Sequence, residues 1–210
     1  MSLICLLAIL ASWPLTAWGI ARFLVAPPTV NMEIMPGRME TQVLSVINQD
    51  SSRSLYLRAY VQDWDIKDNG ETEFLKAGAA RRSCAGWIEI NPVDMQVPPL
   101  TEQSVRFSVV MPESAAGSYW AVIFFESRPE SLPLTQGVGV ALNARVGSLI
   151  FVDALGTLDR QLELVGIGYR RTGYKSHEAR VRLKNNGNAG LRPKGKLYLR
   201  TLDDLSGAGL

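Results

Sequence analysis

The chain has 210 residues, 47% of them hydrophobic, enough apolar material for one large or two ordinary domains with a real core. Its formal net charge of +2 is close to balance, which predicts neither a nucleic-acid partner nor an acidic one. Glycine (18) and proline (11) are plentiful, as a fold of short strands and many turns requires.

The first charged residue is Arg22. Before it runs MSLICLLAILASWPLTAWGIA, with an apolar stretch from Leu3 to Leu10, a helix-breaking Pro14 and small residues toward the end. This pattern reads as a secretory signal peptide over residues 1–21, with Ala17-Trp18-Gly19 or, preferably, Gly19-Ile20-Ala21 as the cleavage site. The rival reading is an uncleaved anchor, since about 20 uncharged residues can span a bilayer. No Lys or Arg lies near the start to reinforce the signal-peptide reading, and Cys5 lies too near the start to follow an apolar core and take a lipid. Removal of the segment leaves Cys84 as the only cysteine, so the fold must be held by its core rather than by a disulfide. Arg81 and Arg82 stand close enough in sequence to favour a thiolate, but without a His or resolving Cys nearby an inert thiol is the better expectation.

Phe23 to Ile34 reads as a first strand interrupted by Pro27-Pro28, which a sheet tolerates at an edge. Pro36-Gly37 makes a turn, and Glu40 to Asn48 is a strand apolar on both faces. Leu55 to Ile66 alternates cleanly, with Leu55, Leu57, Ala59 and Val61 opposite Tyr56, Arg58, Tyr60 and Gln62, the period of a half-buried strand. Asn69-Gly70 is a hairpin signal, returned by Glu73 to Lys76. A short strand from Trp87 to Ile90 ends at Asn91-Pro92. After a proline turn, Val105, Phe107 and Val109 alternate. A second turn from Pro112 to Gly117 leads into Tyr119 to Phe125, apolar on both faces as a central strand would be. Gly137 to Val152 (GVGVALNARVGSLIFV) is long and β-rich. This makes seven to eight strands between Arg22 and Val152, and no amphipathic helix of ordinary length.

The pattern breaks at Asp153 to Thr157, where a boundary is expected. Leu158 to Tyr169, Glu178 to Lys184 and Lys196 to Thr201 then read as strands, with a polar Asn/Gly turn from Asn185 to Gly190. The predicted fold class is all-β: an immunoglobulin-like β-sandwich over residues 22–153, then a partial second sandwich over residues 154–210.

One histidine, His177, has no second ligand in its segment, and no GxSxG, HExxH or phosphate-cradling glycine loop occurs. The reading is a non-enzyme with no catalytic residues, no metal site and no cofactor. Asp63 to Glu73 (DWDIKDNGETE) superficially matches a calcium loop. Lys67 and Phe74 occupy ligand positions, however, and a solvated hairpin end accounts for the residues. Arg170, Arg171 and Lys175 lack an aromatic platform for nucleic acid and read as a solvated turn.

The order of elements and the wording of PPLTEQSVRFSVVMPESAAGSYWAVIFFES resemble the N-terminal domain of the periplasmic pilus-assembly chaperones, the PapD-like family. VRLKNNGNAGLRPKGKLYL (Val181 to Leu199) is similar to the start of that family's C-terminal domain. Tyr119 sits where a tyrosine corner could form. The resemblance implies a periplasmic protein that binds secreted, pilin-like subunits by adding an edge strand to an incomplete subunit sandwich. Val138, Val140, Leu142 and Ala144 alternate as that strand would, although any half-buried edge strand has the same period. Arg145 falls at one of the two basic positions that the family uses to anchor a subunit's terminal carboxylate. The first-strand position carries Thr29 and Val30 and no base. The alternative is a non-catalytic structural or adhesive module of the envelope. No nucleic acid is implied, and a membrane only through an uncleaved N-terminus.

Overall fold

The computed structural model describes residues 22–67, 69–127, 143–196 and 198. Ten strands form the main body: β1 (Phe23–Ala26), β2 (Thr29–Ile34), β3 (Met39–Asn48), β4 (Leu55–Ile66), β5 (Thr72–Leu75), β6 (Ile88–Asn91), β7 (Asp94–Val97), β8 (Glu102–Val110), β9 (Gly117–Ser127) and β10 (Arg145–Ala154). The one helical element among the described residues is a single 3-10 turn, Ala85–Trp87.

One sheet has the order β1-β3-β8-β6; the larger has the order β2-β10-β9-β4-β5, with β7 also paired to β4. All pairings are antiparallel except β2 with β10. The diproline explains the first feature of this topology. Neither Pro27 nor Pro28 can donate to a ladder, so the strand expected over Phe23 to Ile34 divides there. Its first half joins the edge of the smaller sheet and its second half the edge of the larger one.

Alternation builds the core between the sheets. Val105, Phe107 and Val109 from β8 and Leu44 and Val46 from β3 face Leu57 and Ala59 from β4, Ala121, Ile123 and Phe125 from β9, and Ile150 and Val152 from β10, all buried. Removing each of the larger of these side chains from water contributes roughly 1.5–3 kcal/mol. The all-β immunoglobulin-like sandwich read from sequence is thus the observed architecture. Ten strands replace the seven to eight expected. The split at the diproline adds one, and Asp94–Val97, whose Pro-bounded sequence reads as a turn, adds the other by pairing with Leu55 to Arg58.

The hairpin expected around Asn69-Gly70 forms, with Asp63 to Ile66 paired to Leu75 to Thr72. Its carboxylates are engaged locally: buried Asp63 accepts from the Ala80 N–H at 2.8 Å and from the Ser83 hydroxyl, and Glu73 pairs with Lys67 at 3.4 Å. Cys84 is wholly buried beside this loop, and burial, reinforced by the Asp63 charge, pushes its thiol up to about 12. Arg82, whose charge could have favoured the thiolate, instead donates to the Ala116 carbonyl at 2.8 Å and lies over the Tyr119 ring. The unfolded thiol ionises near 9 and the folded one near 12. Burial of the neutral thiol therefore stabilises the fold fully below pH 9, and that contribution is lost as pH rises toward 12. We expect unfolding free energy to fall across this window, by up to about 1.4 kcal/mol per pH unit more steeply in the wild type than in Cys84→Ala. Parallel slopes in urea titrations of the two proteins would count against a buried neutral thiol.

Beyond β10, β11 (Leu162–Arg171) and β12 (His177–Asn185) form a two-stranded antiparallel ribbon, exposed along both strands. Of the third strand expected at Lys196 to Thr201, Lys196 and Tyr198 lie outside any strand and the rest lies outside the described residues. The Asn/Gly turn after β12 is more than a solvated connection. Asn188 donates to the Thr157 carbonyl at 2.9 Å, accepts from the Asp159 N–H at 2.7 Å, and its own carbonyl accepts from the Ser118 N–H at 3.0 Å. The Ser118 hydroxyl donates to Asp153 and accepts from the Gly190 N–H, and Ala189 is buried against the body. Gly117, at φ +88°, makes the approach possible, since a Cβ there would stand 2.4 Å from the Asn188 oxygen.

Candidate functional site: an open strand edge

β9 runs through the middle of the larger sheet and is buried on both faces, as its unbroken apolar sequence requires. β10 pairs with it along its whole length, from Arg145 opposite Glu126 to Ala154 opposite Gly117. On its other side β10 is matched only from Leu149 onward, by β2.

The backbone directions define the unmatched part. The Ala144 carbonyl accepts from the Ser127 N–H at 2.9 Å, toward β9, whereas the Leu149 N–H donates to the Pro28 carbonyl at 3.0 Å, away from it. Because backbone groups alternate along a strand, the N–H and C=O of Arg145 and Gly147 aim to the same side as those of Leu149. A ladder continued on that side would have to run back through Pro28 and Pro27, which carry no N–H. The Pro27 carbonyl is already engaged by the Ser148 hydroxyl at 2.8 Å. Among the described residues, the β10 edge at Arg145 to Gly147 therefore has no strand partner.

The outward face beside this edge is aromatic. Trp64, Val122 and Phe124 form a second buried cluster, with Tyr60, Trp120, Leu149 and Phe151 packed against it. Gly147 lies directly opposite Phe124, and a Cβ on Gly147 would come within 2.8 Å of that ring. The glycine thus lets the aromatic ring cover the strand, a cross-strand pairing that compensates for the missing side chain.

Arg145 is exposed, its guanidinium 4.2 Å from the Phe124 ring centroid and 5.4 Å from that of Phe74, with a 3.5 Å contact to the Gln62 side-chain oxygen. Its cross-strand neighbour Glu126 accepts from the Tyr60 hydroxyl at 2.7 Å. Burial and this carboxylate hold the Tyr60 hydroxyl above its ordinary pKa, with Arg145 opposing them. The cation is thus oriented by stacking rather than neutralised, and among the described residues it forms no ion pair.

Of the sequence-derived strand residues, Ala144 is half-buried against the core, with its N–H donating to the Ser127 hydroxyl at 2.9 Å. Val138, Val140 and Leu142 lie outside the described residues. The structure adds Gly147, the diproline and the Tyr60–Phe74–Phe124 platform, which the sequence reading did not assign to a site. Alternation of Trp120, Val122 and Phe124 on β9 is the signal that could have found the platform. Tyr119 makes the local bond of a tyrosine corner: its hydroxyl, near the start of β9, accepts from the Ala116 N–H at 3.3 Å. The ring centroid lies 4.5 Å from that of Trp87, the two planes tilted by 57°.

Fold and site together define a class: an all-β immunoglobulin-like sandwich whose β10 edge, at Arg145 to Gly147, has no strand partner among the described residues. Compared with known proteins, the chain matches no family model, and no curated protein matches it in sequence. Solved structures to which it is similar are mostly PapD-like fimbrial chaperones. The chaperone–tip adhesin complex of CFA/I fimbriae biogenesis shares 15% identity over 80% of this chain and 68% of that one, with a TM-score of 0.49. The CsuC–CsuE chaperone–tip adhesion subunit complex of Acinetobacter baumannii shares 14% over 80% and 73%, with a TM-score of 0.47. A PapD-like domain of human CEP192 shares 12% over 74% and 96%, with a TM-score of 0.44. At TM-scores below 0.5 these likenesses carry nothing about what this chain binds, and its sandwich stands on its own strand order and core.

Proposed function

We propose that the chain is an exported, periplasmic, non-catalytic chaperone-like protein that binds secreted, pilin-like subunits by strand addition to the edge of β10. The observation that carries this reading is the backbone of Arg145 to Gly147, unmatched among the described residues and barred from β2 by the diproline. The preceding segment, Gly137 to Ala144, has no charge, whereas a finished structural module would blunt such an edge with charge, proline or a covering loop. In this reading Val138, Val140, Leu142 and Ala144 supply the alternating apolar contacts. Arg145, poised on its aromatic platform, takes the subunit's carboxylate. The sandwich over residues 22–153 does this work.

The test is recovery of partners on the tagged, exported protein from its native envelope fraction, with Val140→Arg and Arg145→Gln beside it. Retention of a small β-rich subunit by the wild type, its loss with Val140→Arg and at least about tenfold weaker retention with Arg145→Gln are expected. Identical recovery by all three, or none, would replace strand donation with the structural or adhesive module.

A further inference from the structure

The net charge of +2 conceals a division along the chain. Between residues 158 and 200 there are eleven Lys and Arg against three Asp and Glu, while residues 22–157 hold eleven against fifteen. Charge asymmetry of this kind points to an anionic surface as partner, a nucleic acid or a membrane.

The cations sit on an amphipathic ribbon. Direct cross-strand partners share a face. Leu164 with Leu183, Ile167 with Val181 and Tyr169 with Ala179 make one face, and Gly166 with Arg182, Gly168 with Arg180 and Glu163 with Lys184 the other. The register shift between Leu164 and Gly166 is what keeps this face apolar, since without it Leu164 and Ile167 would point to opposite sides. Nothing among the described residues covers it: Leu164 is 56% exposed, Ile167 58% and Tyr169 58%. Across the ribbon Glu178 bridges Arg170 at 2.6 Å and Arg180 at 2.8 Å, but among the described residues Lys175, Arg182 and Lys184 form no ion pair.

The tip carries the most specific feature. Tyr174 is 83% exposed, the Lys175 ammonium lies 6.0 Å from its ring centroid, and the Arg171 guanidinium lies 5.9 Å from it. Arg171 also donates to the Gly173 and Tyr174 carbonyls at 2.9 and 2.7 Å, fixing the turn that presents the ring. An outward tyrosine flanked by two cations, on a ribbon whose apolar face nothing among the described residues covers, matches the water–lipid interface, where an amphipathic ring sits among anionic headgroups. A nucleic acid would need stacked aromatics along a basic groove, and the apolar face has no counterpart there. We propose that the β11–β12 ribbon docks tip-first on an anionic lipid surface, with Tyr174 at headgroup depth and Arg171 and Lys175 on the lipid phosphates.

The experiment is co-sedimentation of the exported full chain with phosphatidylcholine vesicles containing about a quarter phosphatidylglycerol, and with pure phosphatidylcholine, over a salt series. Pure phosphatidylcholine reports any contribution of the apolar N-terminus, which wild type and variants share. Binding is expected to require phosphatidylglycerol and to weaken with salt. Lys175→Glu, which changes two units of charge at a side chain that supports no fold contact beyond the Tyr174 ring, should lower partitioning about 25-fold, at roughly fivefold per charge. Tyr174→Ser should lower it severalfold in the same vesicles, with unchanged circular dichroism in both variants. Absence of phosphatidylglycerol-dependent binding at low salt, or equal binding by wild type and Lys175→Glu, overturns the proposal. Retention on polyglutamate without vesicle binding also overturns it and assigns the ribbon to an acidic protein.

Discussion

Phe125→Ala should destabilise the protein by about 3–5 kcal/mol, a large share of the roughly 5–15 kcal/mol available to a domain of this kind. Phe125 is wholly buried on the central strand, opposite Val146 on one neighbour and Ala59 on the other. Ala59 is small and β9 is locked into two ladders, so neither the side chains nor the backbone can close over the space left by the ring. Urea denaturation followed by tryptophan fluorescence measures the loss, with Trp64 and Trp120 reporting from the opposite face of the same sheet. Phe125→Leu, which retains most of the volume, should cost only about 1 kcal/mol. A loss below about 1 kcal/mol for the alanine variant would mean that the two sheets do not close on this residue. Because β9 also holds β10 in register, the proposed binding at the β10 edge should fail along with the fold rather than independently of it.

Asn48→Ala should cost about 2–4 kcal/mol through hydrogen bonds rather than packing. The Asn48 side chain is buried and donates to the carbonyls of Arg53 at 2.8 Å, Val97 at 3.0 Å and Pro98 at 3.0 Å, while its oxygen accepts from the Asp50 N–H at 2.8 Å. One amide thus joins the end of β3 to the turn before β4 and to the turn before β8. Alanine leaves the Arg53 and Val97 carbonyls facing a void without this donor, while the Pro98 carbonyl keeps the Thr101 N–H and hydroxyl. Asn48→Asp should be worse near neutral pH, because a carboxylate would face the same three oxygens, and should partly recover on acidification. That ordering, measured by thermal unfolding at two pH values, separates loss of the amide donor from loss of volume. Equal stability of the aspartate and asparagine proteins at neutral pH would refute the clamp.

Local chemistry in the chain was sufficient to determine the sandwich. Strict alternation in Leu55 to Ile66 and Val105 to Val109, the two-faced apolar run of β9, and the Asn69-Gly70 turn each encode their element within about ten residues, because a strand's period and a turn's backbone demands are local. Arg145 and the edge residues beside it were marked as a candidate site by the resemblance to the pilus chaperones rather than by local chemistry, whereas the lone Cys84 read as inert from its own segment. Tertiary structure alone decided the rest. Whether Pro27-Pro28 merely interrupts a strand or moves it to another sheet depends on which edges are free when the layers close. That choice is what leaves Arg145 to Gly147 unmatched among the described residues. The pairing of Asp94–Val97 with β4, the stacking of Arg145 on Phe124 and Phe74, and the docking of Asn188 against Gly117 join residues far apart in sequence. No period or propensity records such contacts, because their free energy exists only once distant strands lie side by side.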